Sequence, residues 1–314
     1  MLDLDRLRAL HAIAEYGSVS AAAEVLGITT SAVSQQIAKL ERETSCRLLE
    51  RSGRGVRLTD VALLLAGHAE RILSLVAEAE ADLEAKRGSV VGKLKIASFA
   101  TASRGLMPQM LRRVAQEHSQ LTVELHERDP KAALPQVLRG EFDLAVVHDW
   151  RGSPLSFPAG LEKLHLMDDP AEIALPSTHP LAGREALSLT ELADEEWVGA
   201  PPTDICHAWL CHTLRSHGME PCIVHFSQEY STQLALVAEG HGIAVLPRLG
   251  RGPLPPGVAA VPVRPRLERH LYLVWRCESR HRPAVQAVVR ALQEAVDTVG
   301  DTRKVHLRPG SVTV

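Results

Sequence analysis

Residues 18–41 read SVSAAAEVLGITTSAVSQQIAKLE, and this stretch predicts two short helices joined at Gly27. Glycine readily adopts the left-handed turn that is needed where one helix ends close to the start of the next. In the second helix Val33, Ile37 and Leu40 recur at i, i+4 and i+7, which predicts one buried stripe. A helix, a tight turn and a second helix form the motif whose second helix enters the major groove of DNA.

The outer face of this second helix lacks the Glu and Lys that surface helices usually carry. It offers hydroxyls and amides instead, on Thr29, Thr30, Ser31, Ser34, Gln35 and Gln36. Such groups donate to or accept from base edges, and threonine methyls can contact thymine methyls. A small helical hairpin with a merely polar face is the alternative that this helix alone leaves open.

Basic charge is concentrated directly after the second helix. Residues 39–57 hold six basic and three acidic side chains, a local charge of +3. The segment RSGRGVRLT (51–59) predicts a small β-hairpin, or wing, with its turn at Gly53 and Gly55. Arg54 lies at the predicted tip, where it could reach the minor groove. The basic side chains would therefore lie where phosphates run beside the recognition helix.

Residues 1–62 resemble the winged helix-turn-helix of LysR-type transcriptional regulators, through GSVSAAAEVLGITTSAVSQQIAKLE and LLERSGRGVRLT. The resemblance implies binding to double-stranded DNA at an inverted-repeat operator. The DNA-contacting residues that we infer are Thr29, Thr30, Ser31, Ser34, Gln35, Lys39, Arg51 and Arg54. The sequence departs from the family pattern in three places: Thr44-Ser45 replaces Leu-Gly, Leu49 replaces Phe, and Ala62 stands where Gly is common. None of these departures touches the predicted DNA-facing set.

Residues 61–88 predict a long linker helix with an apolar stripe. The stripe follows heptad spacing and consists of Ala62, Leu65, Ala69, Ile72, Val76, Ala79 and Leu83. The resemblance favours pairing of this helix with its twin in a dimer or tetramer, through Leu65, Ile72, Val76 and Leu83. Docking of the stripe against its own chain is the alternative. Gly88 and Ser89 mark the predicted domain boundary after the winged domain of residues 1–60.

Strand and helix patterns alternate over residues 89–300, which predicts an α/β fold with parallel strands. KLKIAS (93–98), LTVELHE (121–127) and FDLAVVH (142–148) are the first three predicted strands. A similar set follows and includes EIALP (172–176), and HLYLVWR (270–276) is predicted to return the chain to the first lobe. Two α/β lobes joined by crossing segments describe the periplasmic-binding-protein arrangement, which resembles the effector domain of LysR-type regulators. Lobe I is predicted at 89–165 and 266–300, lobe II at 166–265, and a polar, flexible tail at 301–314.

Loops after the predicted strands supply the candidate effector-binding residues, because ligands bind at the carboxyl ends of parallel strands. These candidates are Thr101, Ala102, Ser103, Arg128, Asp129, His148, Pro202, Thr203, Asp204 and Ser227. The resemblance implies effector contacts at Thr101 and Thr203. Hydroxyls and backbone N–H groups at helix N-termini suit a small polar effector that carries a carboxylate, such as an organic acid or an amino acid. Ordinary N-capping by these residues is the alternative.

Composition limits the other classes of function. The chain has 314 residues, a net charge of −3 and 45% hydrophobic residues, enough for several domains. It has no apolar run of the roughly 18 residues that a membrane span requires, and MLDLDRLRAL is unlike a signal peptide. Five irregularly spaced cysteines argue against a disulfide framework, so we expect a cytoplasmic protein with no membrane partner.

We expect neither an enzyme nor a bound cofactor or metal. Cys206, His207, Cys211 and His212 are suggestive, but His207 and Cys211 alone do not complete a zinc site. Gly240-His241-Gly242 lacks a dinucleotide fingerprint and predicts a helix end. The resemblance therefore implies a ligand-responsive transcription factor that could also contact RNA polymerase. The rival class is a small-molecule enzyme or solute-binding protein with an accessory helical domain.

Overall fold

The structure is a computed structural model of the chain that describes residues 2–52, 55–87 and 90–306. The chain divides into two compact units, Met1–Arg87 and Gly88–Val314. The described part contains no helix that is long and apolar enough to cross a membrane.

The first unit is a winged helix-turn-helix followed by a long helix. Its elements are α1 (Leu4–Tyr16), α2 (Val19–Leu26), α3 (Thr30–Thr44), β1 (Leu49–Ser52), β2 (Gly55–Leu58) and α4 (Asp60–Arg87). Thr29 caps α3 by accepting a hydrogen bond from the Ala32 amide at 3.2 Å. Gly27 ends α2 with a φ of +66°, as the turn between the two helices requires. Strands β1 and β2 pair antiparallel, with Leu49 opposite Leu58 and Ser52 opposite Gly55.

The core of this unit explains the apolar stripes of the sequence. Val33, Ile37 and Leu40 of α3 are buried with residues of α1 and α2 in a single cluster. Helix α4 contributes to the same cluster, because Ala62, Ala66 and Ala69 are buried in it and Leu65 and Ile72 pack against it.

The predicted heptad stripe of α4 packs in part on its own unit. Leu65 and Ile72 are partly buried against that core, and pairing of the stripe with a second chain stays a prediction. Heptad spacing identifies an apolar stripe but cannot say which chain covers it. Other side chains of α4 are the exposed ones, including Leu64 at 66%, Leu75 at 64% and Leu83 at 59% of their surface.

The second unit is an α/β structure whose main sheet has the strand order β10-β6-β11-β5-β3-β4, with β7 beside β11. Its strands are β3 (Gly92–Ser98), β4 (Leu121–Glu127), β5 (Leu144–Trp150), β6 (Leu161–Pro176), β7 (Leu187–Ser188), β8 (Glu196–Gly199), β9 (Cys222–Phe226), β10 (Ala244–Pro247) and β11 (Val258–Arg276). Its helices are α5 (Ala100–Gly105), α6 (Met107–Glu117), α7 (Pro130–Leu138), α8 (Ile205–Ser216), α9 (Tyr230–Ala238) and α10 (Pro283–His306). Strands β8 and β9 form a separate parallel pair.

Two long antiparallel strands, β6 and β11, run through both halves of this unit. Leu271 and Leu273 of β11 lie in one hydrophobic cluster with β3, β5 and α10. Val261 and Val263 of the same strand lie in a second cluster with α8. Strand β6 changes from the first cluster to the second between Met167 and Ala171. Each lobe therefore has its own core, and the crossing strands connect the two.

Several boundaries differ from the sequence predictions. Strands β6 and β11 are much longer than the predicted EIALP (172–176) and HLYLVWR (270–276) segments, and β8 was not predicted. Helix α10 continues through His306, six residues into the predicted flexible tail. Residues 307–314 of that tail lie outside the described residues.

Candidate functional site

The outer face of α3 carries the predicted DNA-contacting residues. Thr29, Thr30, Ser31, Ser34, Gln35 and Lys39 are all exposed. Local bonds occupy the hydroxyls in part, since Thr29 Oγ1 lies 2.9 Å from Ser31 Oγ and Ser34 Oγ donates to the Thr30 carbonyl. Because Gln35 and Lys39 lie one turn apart, they form an adjacent pair on this face.

The wing is described only in its strands. Arg51 lies in β1 and pairs with Val56 of β2. Arg54 falls outside the described residues, so its predicted position at the tip stays a prediction. Glu50 of β1 forms an exposed ion pair with Arg57 of β2, with 3.5 Å between Oε2 and Nη2.

The second unit contains a cavity of about 580 Å³ at the ends of its strands. Residues from both lobes line it, including Phe99, Thr101, Arg104, Arg128, Asp129, His148, Trp150, Asp204, Cys206, Trp209, Glu229, Tyr230, Gln233 and Arg269. The volume lies within the range of pockets that hold small-molecule ligands.

Five of the ten predicted effector-binding residues line this cavity: Thr101, Arg128, Asp129, His148 and Asp204. The other five do not belong to its lining in the described part of the chain: Ala102, Ser103, Pro202, Thr203 and Ser227. Ala102 is fully buried in the core of the first lobe. The Ser103 hydroxyl donates to the Ser98 carbonyl at 3.3 Å. Sequence identifies the right loops but not which side chain of each loop turns inward.

Arg269 is the cavity residue that sequence reasoning missed. It lies on β11, is 1% exposed, and its Nη2 donates to Thr101 Oγ1 at 2.6 Å. Its Nε and Nη2 also contact Asp169 Oδ2, at 3.0 and 2.9 Å. A buried guanidinium needs such a partner, because an unpaired charge in the interior is costly. The signal was the polar run Glu268-Arg269-His270 directly before the apolar stretch LYLVW (271–275).

The back of the cavity contains buried polar atoms without a partner. His148 is 3% exposed and Trp150 is 2% exposed. His148 Nδ1 and Trp150 Nε1 have no hydrogen-bond partner among the described residues. Burial, reinforced by the Arg269 charge, holds the pKa of His148 well below its ordinary value, so the ring is neutral. Trp150 stacks on Trp209 at 3.7 Å, which gives the cavity a flat apolar wall.

Two carboxylates from different lobes approach each other at the cavity. Asp129 caps α7 by accepting from the Lys131 amide, and Asp204 caps α8 by accepting from the Cys206 amide. Burial raises the pKa of Asp129, and the neighbouring Asp204 carboxylate raises it further. Both residues therefore cap their helices, and at Asp129 the cost of burial outweighs the capping hydrogen bond, so that its pKa is raised.

Cysteine and histidine side chains of α8 are held by local contacts within the second unit. His207 Nδ1 lies 3.0 Å from the Ala200 carbonyl, and His207 Nε2 lies 3.5 Å from Cys211 Sγ. Burial and the Asp204 carboxylate raise the pKa of the Cys206 thiol to about 12. A thiol with so high a pKa is a poor nucleophile and a poor metal ligand.

Comparison with known proteins gives matches along nearly the whole chain. Residues 4–63 match the family model described as bacterial regulatory helix-turn-helix protein, lysR family. Residues 87–297 match the model described as LysR substrate binding domain. The probable HTH-type transcriptional regulator LrrA of Synechococcus elongatus is 30% identical, over 96% of this chain and all of that protein.

Solved structures share the fold over more than nine tenths of the chain. Full-length OxyR from Pseudomonas aeruginosa superposes with a TM-score of 0.65 at 20% identity, covering 93% of this chain and 98% of that one. CbnR, solved in complex with its target DNA, has a TM-score of 0.52 at 22% identity and covers 94% of this chain and all of that one.

Proposed function

We propose that this chain, which belongs to the LysR family of transcriptional regulators, binds a small polar effector in its cavity and thereby changes its action at DNA. Membership establishes a DNA-binding helix-turn-helix and a domain of the effector-binding type. The observation that carries the effector proposal is a ligand-sized cavity lined from both lobes by polar side chains, including Thr101, Arg269, Asp129 and Asp204. A few polar groups in such a pocket fix the orientation of a small ligand.

The charges at the cavity favour an amino acid over a simple organic acid. The Thr101 oxygen accepts from Arg269, so its O–H can donate to a ligand carboxylate close to the guanidinium. Asp129 and Asp204 would face an ammonium group, whose charge would relieve their repulsion. An effector with a carboxylate at one end and an amino group at the other satisfies both.

On the DNA side, we propose that α3 reads base edges through Thr29, Thr30, Ser31, Ser34 and Gln35. Lys39, Arg51 and Arg54 would contact phosphates. The structure of CbnR with its target DNA supports this use of the fold. Two copies of the chain would place two recognition helices on an inverted-repeat operator. Contact with RNA polymerase at a promoter is part of the proposal and rests on the resemblance alone.

We also propose that the chain forms a dimer, or a dimer of dimers, through α4. Leu64 and Leu75 are exposed and lie three turns apart on one side of the helix. Leu83 is also exposed and lies about 80° around the helix from Leu75, on the flank that Val76 shares. A second copy of α4 would cover these leucines together with the half-buried Val76. The part of the predicted stripe that packs on its own core would stay where it is.

A thermal-shift screen of amino acids and carboxylic acids tests the effector proposal, because a ligand that binds the folded state stabilises it. We expect Thr101→Val to weaken binding of a hit by about tenfold, since one hydrogen bond to a charged group is lost. Thr101→Ser keeps the hydroxyl and should bind as the natural chain does. Thr203→Val is the matched control, since Thr203 lies outside the cavity lining.

The cavity assignment would be wrong if the hit kept full affinity in Thr101→Val. It would also be wrong if Thr203→Val weakened binding as much as Thr101→Val did. Urea unfolding of each variant without ligand separates these outcomes from a general loss of stability.

A further inference from the structure

Two histidines and an aspartate converge on β6 and β11, where these strands pass from one core to the other. His165 Nε2 lies 2.8 Å and His270 Nδ1 lies 2.7 Å from the same Asp168 carboxylate oxygen. One ligand atom from each of the three residues lies within 4.8 Å of the others. His165 and Asp168 are exposed and His270 is half-buried, so an ion could reach them from solvent.

A β-bulge in β6 brings these side chains to one face of the sheet. His270 pairs with Asp168, but Tyr272 pairs with His165, so β6 advances three residues while β11 advances two. In a regular strand, side chains three residues apart point to opposite faces. The extra residue reverses this relationship and turns His165 to the side of Asp168. Bulges of this kind re-aim side chains, often at functional positions.

A buried carboxylate lies on the same face of the sheet, outside the group of three whose ligand atoms lie within 4.8 Å of one another. Asp149 of β5 pairs with His270 on the other side of β11, which places it on the same face. Asp149 is only 5% exposed, and its Oδ1 has no hydrogen-bond partner among the described residues. Its Oδ2 accepts from the Leu155 amide at 3.1 Å, which leaves Oδ1 available. A buried carboxylate oxygen without a donor is the kind of group that a bound cation compensates.

An ammonium group on the same face is held by aromatic rings. Lys163 has its Nζ 4.1 Å from the centre of the Phe157 ring and 4.9 Å from that of Tyr272. These cation–π contacts position the ammonium, whose charge also acts on Asp149.

We propose that His165, Asp168 and His270 form a binding site for a divalent transition-metal ion of the zinc type, with a solvent ligand completing its coordination. Imidazole nitrogens and carboxylate oxygens are the ligands that such ions take, commonly four in number. Ligand atoms of a tetrahedral zinc ion lie about 3.3 Å apart, given bonds of about 2.0 Å. Small side-chain rotations would bring the present contacts to that spacing. The site is independent of the effector proposed above.

The site lies on the back of the strands that line the effector cavity. Trp150, Arg269 and Asp169 each directly follow or precede a member of the cluster in sequence and point to the opposite face. An ion on one face would therefore tie β5, β6 and β11 together beneath Arg269 and its Thr101 contact. Metal occupancy would hold the crossing strands in one register between the two lobes.

The test is metal binding by the full chain after treatment with a chelator, with Zn²⁺ alone and then Co²⁺ alone as probes. We expect saturation at one ion per chain and a rise in melting temperature with either ion. The Co²⁺ absorption spectrum should show nitrogen and oxygen ligation without a thiolate charge-transfer band. The variant His165→Gln with His270→Gln, and separately Asp168→Asn, should each lose at least about tenfold in affinity.

The control is His225→Gln with His241→Gln, because these rings also lie close together, at 5.8 Å, but away from the cluster. This variant should bind as the natural chain does. The proposal is overturned if no ion binds, or if the cluster variants bind as well as the control. A thiolate band in the Co²⁺ spectrum would also overturn it, since the ion would then lie at one of the five cysteines. Metal-free melting curves confirm that each variant is folded.

Discussion

A single buried imidazole gives the second unit a dependence on pH. His148 is neutral in the folded protein, because burial and the Arg269 charge lower its pKa well below the ordinary 6.5. Above about pH 6.5 the ring is neutral in both the folded and unfolded states, so its stability contribution is fully present. As the pH falls below that value, the unfolded chain binds a proton that the folded chain does not. Stability is then lost until the pH reaches the folded pKa.

We therefore expect the free energy of unfolding to fall on acidification below about pH 6.5, by up to about 1.4 kcal/mol per pH unit from this residue. His148→Phe should remove that part of the slope, because phenylalanine fills the site without a titrating group. Urea unfolding at a neutral and a mildly acidic pH measures the difference. Equal slopes in the natural chain and His148→Phe would contradict the assignment.

A second residue-scale feature lies at the end of the recognition helix. Ser45 follows α3 with a φ of +53°, the only non-glycine residue with a positive φ in the described chain. A side chain in this left-handed conformation costs roughly 1–2 kcal/mol, and glycine avoids that cost. This is one of the positions where the sequence departs from the glycine of the LysR pattern, so the substitution carries a local strain.

Ser45→Gly should stabilise the first unit, by up to about 1 kcal/mol once the greater freedom of glycine in the unfolded chain is counted. The converse change at an equivalent helix end, Gly17→Ser, should destabilise, since Gly17 has a φ of +71°. Chemical unfolding of both variants measures the two shifts. A lower stability for Ser45→Gly would mean that the serine hydroxyl contributes more than the strain costs.

At the scale of elements, the spacing of apolar residues predicted those helices and strands whose buried face is visible in the local sequence. The strand at 121–127 and the helices of the DNA-binding unit were predicted closely, because each has a single apolar face. Strands β6 and β11 were predicted only in part, since charged residues such as Asp169 and Arg269 interrupt their alternation. Those charges are buried only because partners distant in sequence pair with them. The same long-range pairing decides which loop residues face the cavity, and one sequence does not contain that information.

Gln35 and Lys39 lie one turn apart on α3, and substituting each in turn measures the proposed base contact separately from the proposed phosphate contact. Gln35→Ala should reduce affinity for the preferred operator by about 1–3 kcal/mol and relax the sequence preference there. Lys39→Ala should weaken binding to all sequences about equally and reduce the salt dependence. Binding titrations with operator and random duplexes at several salt concentrations measure both effects. If both variants lost affinity uniformly, the division of roles on α3 would be wrong.

The exposed leucines of α4 give a second prediction at this scale, because we propose that a second copy of α4 packs on them. Leu75→Lys should place like charges in the proposed interface, shift the chain toward monomers and weaken operator binding. Leu63→Lys is the matched control, since Leu63 is also exposed but lies about 120° around the helix from Leu75. Sedimentation at micromolar concentration measures the association. A natural chain that is already monomeric, or equal effects of the two variants, would contradict the proposed pairing.

At the scale of the whole molecule, the distribution of charge matters more than its sum. The net charge is −3, while residues 39–57 alone carry +3. The rest of the chain is therefore acidic and should be repelled by DNA, which directs the basic recognition region toward the duplex. This arrangement favours binding through the first unit and leaves the second unit free to hold a ligand.

Regulation by an effector requires that binding of the effector in the cavity changes the free energy of DNA binding. If the effector changes operator affinity by some factor, then operator DNA must change effector affinity by the same factor. Coupling factors of roughly 5–150 are typical of allosteric proteins.

Titration of a screened ligand with and without operator duplex, and of operator with and without ligand, measures both factors independently. We expect the two factors to agree within error. At a fixed ligand concentration below saturation of Thr101→Val, the shift in operator affinity should be smaller in that variant than in the natural chain. A factor of one in the natural chain would mean that the cavity binds its ligand without controlling DNA binding affinity. The control of transcription would then have to lie in a step after binding, such as the bend of the DNA.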